Sequence, residues 1–374
     1  MTKPHILQFI CSTGFYGAER WILALCRNTP ANDAKHSLAV TLEENSKDLE
    51  LVKEFKRDGG DTFEVPMSHK FDFSVVGKLA DIIKRKKIDI IHTHGYKSDI
   101  LGILAAKRAK IPVVVTPHGF ENAEDFKLRA FIYLGCQSMR FADKVVPLSP
   151  QLMKDVKKYG IKAPKLEYIQ NGVDLSEVEK VKHAPAKIAS EKLRIGFIGQ
   201  MISRKNIIDI LDIFEAIASS RSDVELILLG DGDERASLEQ YSNTLTSKSN
   251  IHFLGYRDDR LDYLRSFDLF VMTSTLEGIP RCLMEACAMG IPVAAYNIAG
   301  IDQLITHNQT GLLAELHDKS SLTKYWTTLL DDKDTASKLA ENASKHVTQQ
   351  YSAKRMATEY LGLFERLLAL NTAN

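Results

Sequence analysis

Long apolar runs are missing from this chain: in 374 residues none approaches the ~20 that a membrane-crossing helix needs. The amino-terminal MTKPHILQFICSTGFYG has too short an apolar segment and no small-residue cleavage site, so it reads as a strand and loop. Cysteine is scarce. The five residues Cys11, Cys26, Cys136, Cys282 and Cys287 are odd in number and lack metal-ligand spacing, which points to a reduced, cytoplasmic setting. An excess of either charge is also missing, since the net charge is +1. That balance hides an asymmetry. Residues 1–190 carry 30 Lys and Arg against 23 Asp and Glu, whereas the remainder carries 19 against 25. A basic amino half suits an anionic surface or acceptor, with a generic solvated surface as the alternative. No nucleic-acid partner is expected. With 44% hydrophobic and 26% charged residues, the composition is that of a globular protein long enough for two domains.

The most informative stretch is Ser274–Gly300, STLEGIPRCLMEACAMGIPVAAYNIAG. The apolar run Leu269–Met272 before it reads as a buried strand, and Glu277-Gly278-Ile279-Pro280 breaks that pattern as a loop. Arg281–Met289 reads as a helix, ended by Gly290 and barred from continuing by Pro292, and Val293–Tyr296 as the next strand. Glu277 stands in the loop and Glu285 about one turn into the helix. Free amides at a helix start favour phosphate, and flanking carboxylates accept hydrogen bonds from hydroxyls. The combination suits a nucleotide sugar. Glu277 and Glu285 at an E-x7-E spacing, followed by an Ala-Met-Gly-x-Pro-Val strand, resemble the large family of retaining nucleotide-sugar glycosyltransferases of GT-B architecture (family 4-like, group 1).

The resemblance runs from about Ile6 to Leu370. Ile6–Ile10 is a strand, and Gly17-Ala18-Glu19-Arg20 resembles the family's glycine-rich first loop, with Tyr16 where a second glycine is usual. Further strands at Ser37–Leu42, Ile88–His92 and Val113–Thr116 alternate with helices at Asp48–Arg57 and Phe73–Lys87. That rhythm argues for a parallel, doubly wound sheet. His92 and His94 suggest metal ligands at first sight, but without a third partner they read as strand-end residues. His118 holds the position at which the family's histidine contacts the donor sugar. Phe126–Phe141 reads as a core helix or a membrane-surface helix. Asn171-Gly172 matches the family's turn at the end of the first domain, and Leu175–Glu191 reads as the linker.

In the second domain Leu193–Gly199 is a strand entering a glycine turn. The family places an arginine after Gly199 and a lysine five positions later, both on the donor diphosphate. Lys205 keeps the lysine; Gln200 replaces the arginine, and Arg204 is the neighbouring cation that could substitute. Val224–Leu229 leads into Gly230-Asp231-Gly232-Asp233, and Ile251–Tyr256 into the turn whose backbone, in relatives, approaches the base. Closing helices are read at Ser320–Leu330, Thr335–Val347 and Ala353–Leu370.

The resemblance implies an α/β GT-B protein with two Rossmann-like domains, parallel sheets facing across a cleft, and a last helix crossing back to the first. The domains are 1–180 with 353–374 on the acceptor side, and 190–350 for the donor. The reaction implied is hexosyl transfer from a UDP- or GDP-sugar to an acceptor hydroxyl, retaining and metal-independent, in polysaccharide or glycolipid synthesis. Glu277, Lys205 and His118 form its catalytic set. Donor contacts fall to Gly17, Asn171, Gly199, Arg204, Lys205, Gly230, Tyr256, Gly278, Ile279, Pro280, Arg281, Cys282, Leu283 and Glu285. No cofactor or metal is required beyond the donor. The acceptor is a carbohydrate or lipid-linked sugar, and the setting is cytoplasmic, extending to the inner face of an anionic membrane. Three other readings remain: a GT-B sugar-nucleotide epimerase or a phosphorylase, which share the fold, and a non-enzymatic sugar-nucleotide-binding subunit.

Overall fold

Strands and helices alternate along the chain, because apolar runs buried on both faces form parallel strands and the intervening amphipathic segments cover them. The computed structural model describes residues 3–43, 48–69, 72–119 and 126–372. It divides into two units, Met1–Gly172 with Ala353–Asn374, and Val173–Ser352.

The first unit runs β1 (His5–Ile10), α1 (Gly17–Asn28), β2 (Lys35–Leu42), α2 (Glu50–Arg57), β3 (Asp61–Pro66), α3 (Ser74–Lys86), β4 (Ile90–His94) and α4 (Tyr96–Ala109). It continues through β5 (Val113–Val115), α5 (Phe126–Ser138), β6 (Lys144–Val145) and α6 (Pro150–Lys158). The second runs α7 (Leu175–His183), β7 (Leu193–Ile198), α8 (Ile207–Ala218), β8 (Val224–Leu229), α9 (Arg235–Ser242), β9 (Ile251–Gly255) and α10 (Arg260–Arg265). After these come β10 (Leu269–Met272), α11 (Arg281–Met289), β11 (Val293–Tyr296), β12 (Leu312–Ala314), α12 (Lys319–Asp331) and α13 (Lys333–Gln350). The last helix, α14 (Ala353–Thr372), returns to the first unit.

Both sheets are parallel, ordered β3-β2-β1-β4-β5-β6 and β12-β11-β10-β7-β8-β9. In the first, Ile6, Ile10, Leu38, Val40 and Ile90 face α1 and α14, and Leu7, Phe9, Ala39 and Ile91 face the other way, toward α3 and α4. In the second, Phe270 and Met272 pack with α11 and α13, and Leu269 and Val271 with α8 and α12. Each such buried Val, Leu, Ile, Phe or Met side chain is worth roughly 1.5–3 kcal/mol, which is why continuous apolar strands outcompete other local choices. α14 packs on α1 through Met356, Tyr360, Leu363 and Phe364, all buried. No helix of the described residues is long and apolar enough to cross a membrane.

The segment expected to be a linker differs. Residues 175–183 form α7: the Asp174 carboxylate accepts from the Ser176 amide at 3.0 Å, and Val178 is fully buried with α10 and α11. Val178, with Leu175 and Val181 partly buried against the same core, and one capping acid make this otherwise polar stretch helical.

Candidate functional site

In the second sheet the strand order reverses between β7 and β10, and ligand crevices in such sheets form at the carboxyl ends where connections diverge. The loops leaving these two strands carry Lys205 and Glu277, 72 residues apart in sequence. Lys205 Nζ is ion-paired with Glu277 Oε1, and the two side chains are only 8% and 5% exposed. Arg204 NH1 lies 3.4 Å from Glu277 Oε2 and donates to the Leu276 carbonyl at 3.2 Å. Two hydrogen bonds to backbone carbonyls hold the loops in register: the Thr275 amide donates to the Arg204 carbonyl at 2.8 Å, and the Thr273 hydroxyl to that of Asn206 at 2.8 Å. Gln200 is exposed.

The loop after Glu277 ends at Pro280, which has no side-chain cap for α11. The first amide to bond back is that of Met284, to the Pro280 carbonyl at 3.1 Å, so the Arg281, Cys282 and Leu283 amides have no acceptor within the helix. Gly278 is exposed while Ile279 and Pro280 are buried. Gly300, at φ +94°, passes so close that a Cβ there would lie 1.6 Å from the Gly278 carbonyl oxygen. Gly230, at φ +132°, has the same relation to Gly199, whose oxygen would lie 1.8 Å from its Cβ. The ends of β7, β8 and β9 are strung together here, Gly199 donating to Leu229 at 3.0 Å and Gly230 to Gly255 at 2.8 Å. Tyr256, just beyond, is exposed.

Glu285 sits in a charge network that sequence spacing did not reveal. Its Oε1 accepts from Arg260 NH2 at 2.8 Å and from Arg281 Nε at 2.7 Å, and Glu177 of α7 lies 3.3 Å from Arg281. Burial pushes the Glu285 carboxyl up, but the Arg281 and Arg260 charges and their hydrogen bonds overcome it and hold the group at about 2. Its Oε2 has no partner among the described residues and remains an acceptor. Burial pushes the Cys282 thiol up to about 12, which removes it as a nucleophile at neutral pH. Among the described residues no group of three or more His, Cys, Asp or Glu could hold a metal ion. In the Gly230–Asp233 turn, Asp231 accepts from the Gly232 amide at 2.8 Å and lies 3.4 Å from Arg235, which is turn chemistry.

The first unit gathers a second polar cluster, on the sheet face covered by α1 and α14. His118 follows β5 and is partly buried, with His94 Nδ1 3.1 Å from its Nε2. His92, which pairs with Gln8 in the β-register, contacts Thr116 at 2.8 Å, and Thr116 contacts Tyr360 of α14 at 2.8 Å. The Trp21 ring lies 5.2 Å from that of His118 and 5.4 Å from that of His94. Burial drives His92, His94 and His118 toward the neutral form, His118 down to about 3. In the loop after β1, Glu19 accepts from the Ser12 hydroxyl at 2.7 Å and the Tyr16 amide at 2.9 Å. Gly17 opens α1, exposed, and a Cβ there would meet nothing within 4 Å. Asn171 accepts from the Gly172 amide at 2.9 Å. Thus Lys205, Arg204, Glu277, Gly278–Leu283 and Glu285 gather at one sheet's switch point, whereas His118, Gly17 and Asn171 belong to the other unit.

Comparison with known proteins agrees across the chain. Residues 178–346 match the profile of "Glycosyl transferases group 1", and residues 15–177 that of "Glycosyltransferase Family 4". The chain is 30% identical over 283 residues to a UDP-Gal:alpha-D-GlcNAc-diphosphoundecaprenol alpha-1,3-galactosyltransferase of Escherichia coli, covering 70% of this chain and 71% of that one. It is 25% identical over 309 residues to an N-acetyl-alpha-D-glucosaminyl L-malate synthase of Bacillus anthracis, covering 80% of each. The fold matches that of Anabaena Alr3699/HepE, solved in complex with UDP, with a TM-score of 0.80 and 20% identity over 97% of this chain and 100% of that one.

Proposed function

The chain belongs to the group 1, family 4 glycosyltransferases, and from that premise we propose that it moves a sugar from a nucleoside-diphosphate sugar to an acceptor hydroxyl, with retention and without metal. The observation that carries this reading is the convergence of Lys205, Arg204 and Glu277 beside the uncapped start of α11. Departure of a nucleoside diphosphate builds negative charge on the leaving phosphate oxygens. Lys205, Arg204 and the Arg281–Leu283 amides are fixed cations and dipoles suited to stabilise it, doing the work a metal ion does elsewhere. Glu277 then holds donor-sugar hydroxyls and Glu285, through its unpaired oxygen, the ribose hydroxyls. Gly199, Gly230 and Tyr256 line the base end. His118 binds a sugar hydroxyl from the acceptor-side domain, 1–180 with 353–374, with Gly17 and Asn171 beside the phosphates. The C–O bond to the diphosphate breaks, the acceptor oxygen bonds to the same carbon on the face thereby vacated, and its proton passes to a phosphate oxygen of the departing nucleoside diphosphate, so no side-chain nucleophile enters.

The names of the relatives favour a uridine donor and, for the E. coli relative, a lipid-linked acceptor. Synthesis of a polysaccharide or glycolipid at the cytoplasmic face of a membrane follows from that acceptor, and the basic amino half suits anionic lipid. Gln200 in place of the usual arginine favours a second reading, sugar-nucleotide binding without transfer. A panel of UDP- and GDP-sugars in thermal unfolding tests the donor site, because a ligand that binds only the folded state raises its stability. A donor that stabilises the wild type but not Lys205→Ala supports the site. If no nucleotide sugar shifts the midpoint, the assignment fails, and if donors bind but none turns over with any acceptor, the second reading replaces the first.

A further inference from the structure

His118 does not stand alone at the end of β5. Its Nε2 meets His94 Nδ1 at 3.1 Å, His94 Nε2 meets Gln8 Oε1 at 2.8 Å, and Gln8 Nε2 meets His36 Nδ1 at 3.0 Å. The chain of contacts crosses three neighbouring strands, from β2 through β1 to β4, and finishes at His118 beyond β5. Gln8 and His94 are buried to 0% and 3% exposure, so water is not an alternative partner for them.

A neutral imidazole has one donor and one acceptor nitrogen, and an amide oxygen only accepts. Gln8 Oε1 therefore requires a proton on His94 Nε2. With that nitrogen donating, His94 Nδ1 is an acceptor, and the group facing it, His118 Nε2, must donate. His118 is then left with an unprotonated Nδ1, which has no partner among the described residues. At the other end the Gln8 amide nitrogen donates to His36 Nδ1, so His36 carries its own proton on Nε2, a buried nitrogen with no partner among the described residues. Burial favours the neutral form of each ring, so no member escapes by taking a second proton.

We propose that His36, Gln8 and His94 are positioning residues that lock His118 as the Nε2–H tautomer, so that its Nδ1 can only accept a hydrogen bond. This rests on the reading of His118 as a sugar-binding residue and deepens it. An obligate acceptor recognises a hydroxyl and offers nothing to a carboxylate or phosphate. The sugar unit at His118 is therefore a neutral one presenting an O–H, and a uronic acid whose carboxylate falls at that contact is excluded.

The test uses isotope-labelled histidine in the full chain and long-range proton–nitrogen correlation spectra, which identify the protonated ring nitrogen. His118 is expected as a single neutral form with its proton on Nε2. His94→Asn keeps an acceptor oxygen near the Nδ1 position and is expected to preserve that form. His94→Leu removes the acceptor and is expected to release His118 into a mixture, with kcat/KM for transfer lower by on the order of tenfold, about one lost hydrogen bond. In His94→Asn most of that loss should be recovered, with both unfolding midpoints recorded. A proton on Nδ1 or a tautomer mixture in the wild-type protein overturns the proposal, and this needs no variant to fold. Failure of the underlying reading looks different: His118→Ala would leave transfer unchanged while the wild-type tautomer remained fixed.

Discussion

Replacing Lys205 by Ala probes both stability and chemistry at one point. The lysine and Glu277 are ion-paired with 8% and 5% of their side chains exposed, so deleting the cation leaves a buried carboxylate short of a partner. Breaking one side of such a buried pair costs about 3–5 kcal/mol. Arg204 stays 3.4 Å from the same carboxylate, but at 43% exposure its charge is screened and offsets only a fraction. The folding loss should thus approach 3 kcal/mol in urea unfolding, and Lys205→Ala combined with Glu277→Gln should recover part of it. In transfer assays run well below the unfolding midpoint, loss of the charge facing the leaving diphosphate should cost a further 2–4 kcal/mol, roughly 30- to 1000-fold in kcat/KM. Arg204→Ala alongside reports whether that arginine replaces the one lost at Gln200. Unchanged turnover in folded Lys205→Ala refutes the phosphate assignment. Equal stability losses in the single and double variants refute the pairing argument.

Glu285→Gln should weaken nucleotide binding and destabilise the fold by about 3 kcal/mol, because Arg260 and Arg281 keep only Glu177; calorimetric titration and urea unfolding check the two effects. Its carboxyl is depressed to about 2, so its stabilising contribution is fully present above the unfolded value near pH 4.5 and lost as pH falls toward 2, a slope that Glu285→Gln removes. Asp99 behaves in the opposite sense: burial, only partly offset by a hydrogen bond from Thr93 at 2.6 Å, pushes it up to about 8. It costs stability as pH rises from about 4 to 8, by up to about 1.4 kcal/mol per unit, and Asp99→Asn should flatten unfolding free energy across that window. Gly300→Ala, which forces a Cβ to 1.6 Å from the Gly278 carbonyl oxygen at φ +94°, should abolish donor binding or folding, read by nucleotide-induced thermal shift. The protein should float with anionic vesicles at low salt and detach as salt rises, whereas no flotation at low salt favours a soluble acceptor.

Much of this fold could be read from the sequence wherever apolar runs had clean ends. Leu269–Met272, Val224–Leu229 and the Gly290-Ile291-Pro292 stop gave β10, β8 and the close of α11 at their structural bounds. α4 was invisible because its apolar residues crowd most of its circumference, with Leu101, Ile103, Ala105 and Ala106 all buried, so no helical period stands out. β3 is an edge strand with a single buried position, Val65, and carries too little pattern to see. α7 looked like a linker because its few apolar residues, Leu175, Val178 and Val181, pack on α10 and α11, about a hundred residues away in sequence. The candidate site shows the same division. Residue types and spacing pointed to Glu277 and Glu285, and the family resemblance to Lys205. That Lys205 pairs with Glu277, or that Arg260 and Glu177 close on Glu285, depends on which loops the sheet order brings together. Likewise His94 became more than a strand-end histidine only when the pairing of β1 with β4 set Gln8 beside it.

The central claim is tested most directly by following nucleoside-diphosphate release and sugar transfer from UDP- and GDP-sugars by the purified protein in excess EDTA. Transfer from a donor of this class is expected at an undiminished rate, and is expected to be lost in Lys205→Ala and Glu277→Gln, because fixed cations and helix amides face the leaving group. Transfer that EDTA abolishes and magnesium or manganese restores would contradict it, and would turn attention to Asp231 and Asp233.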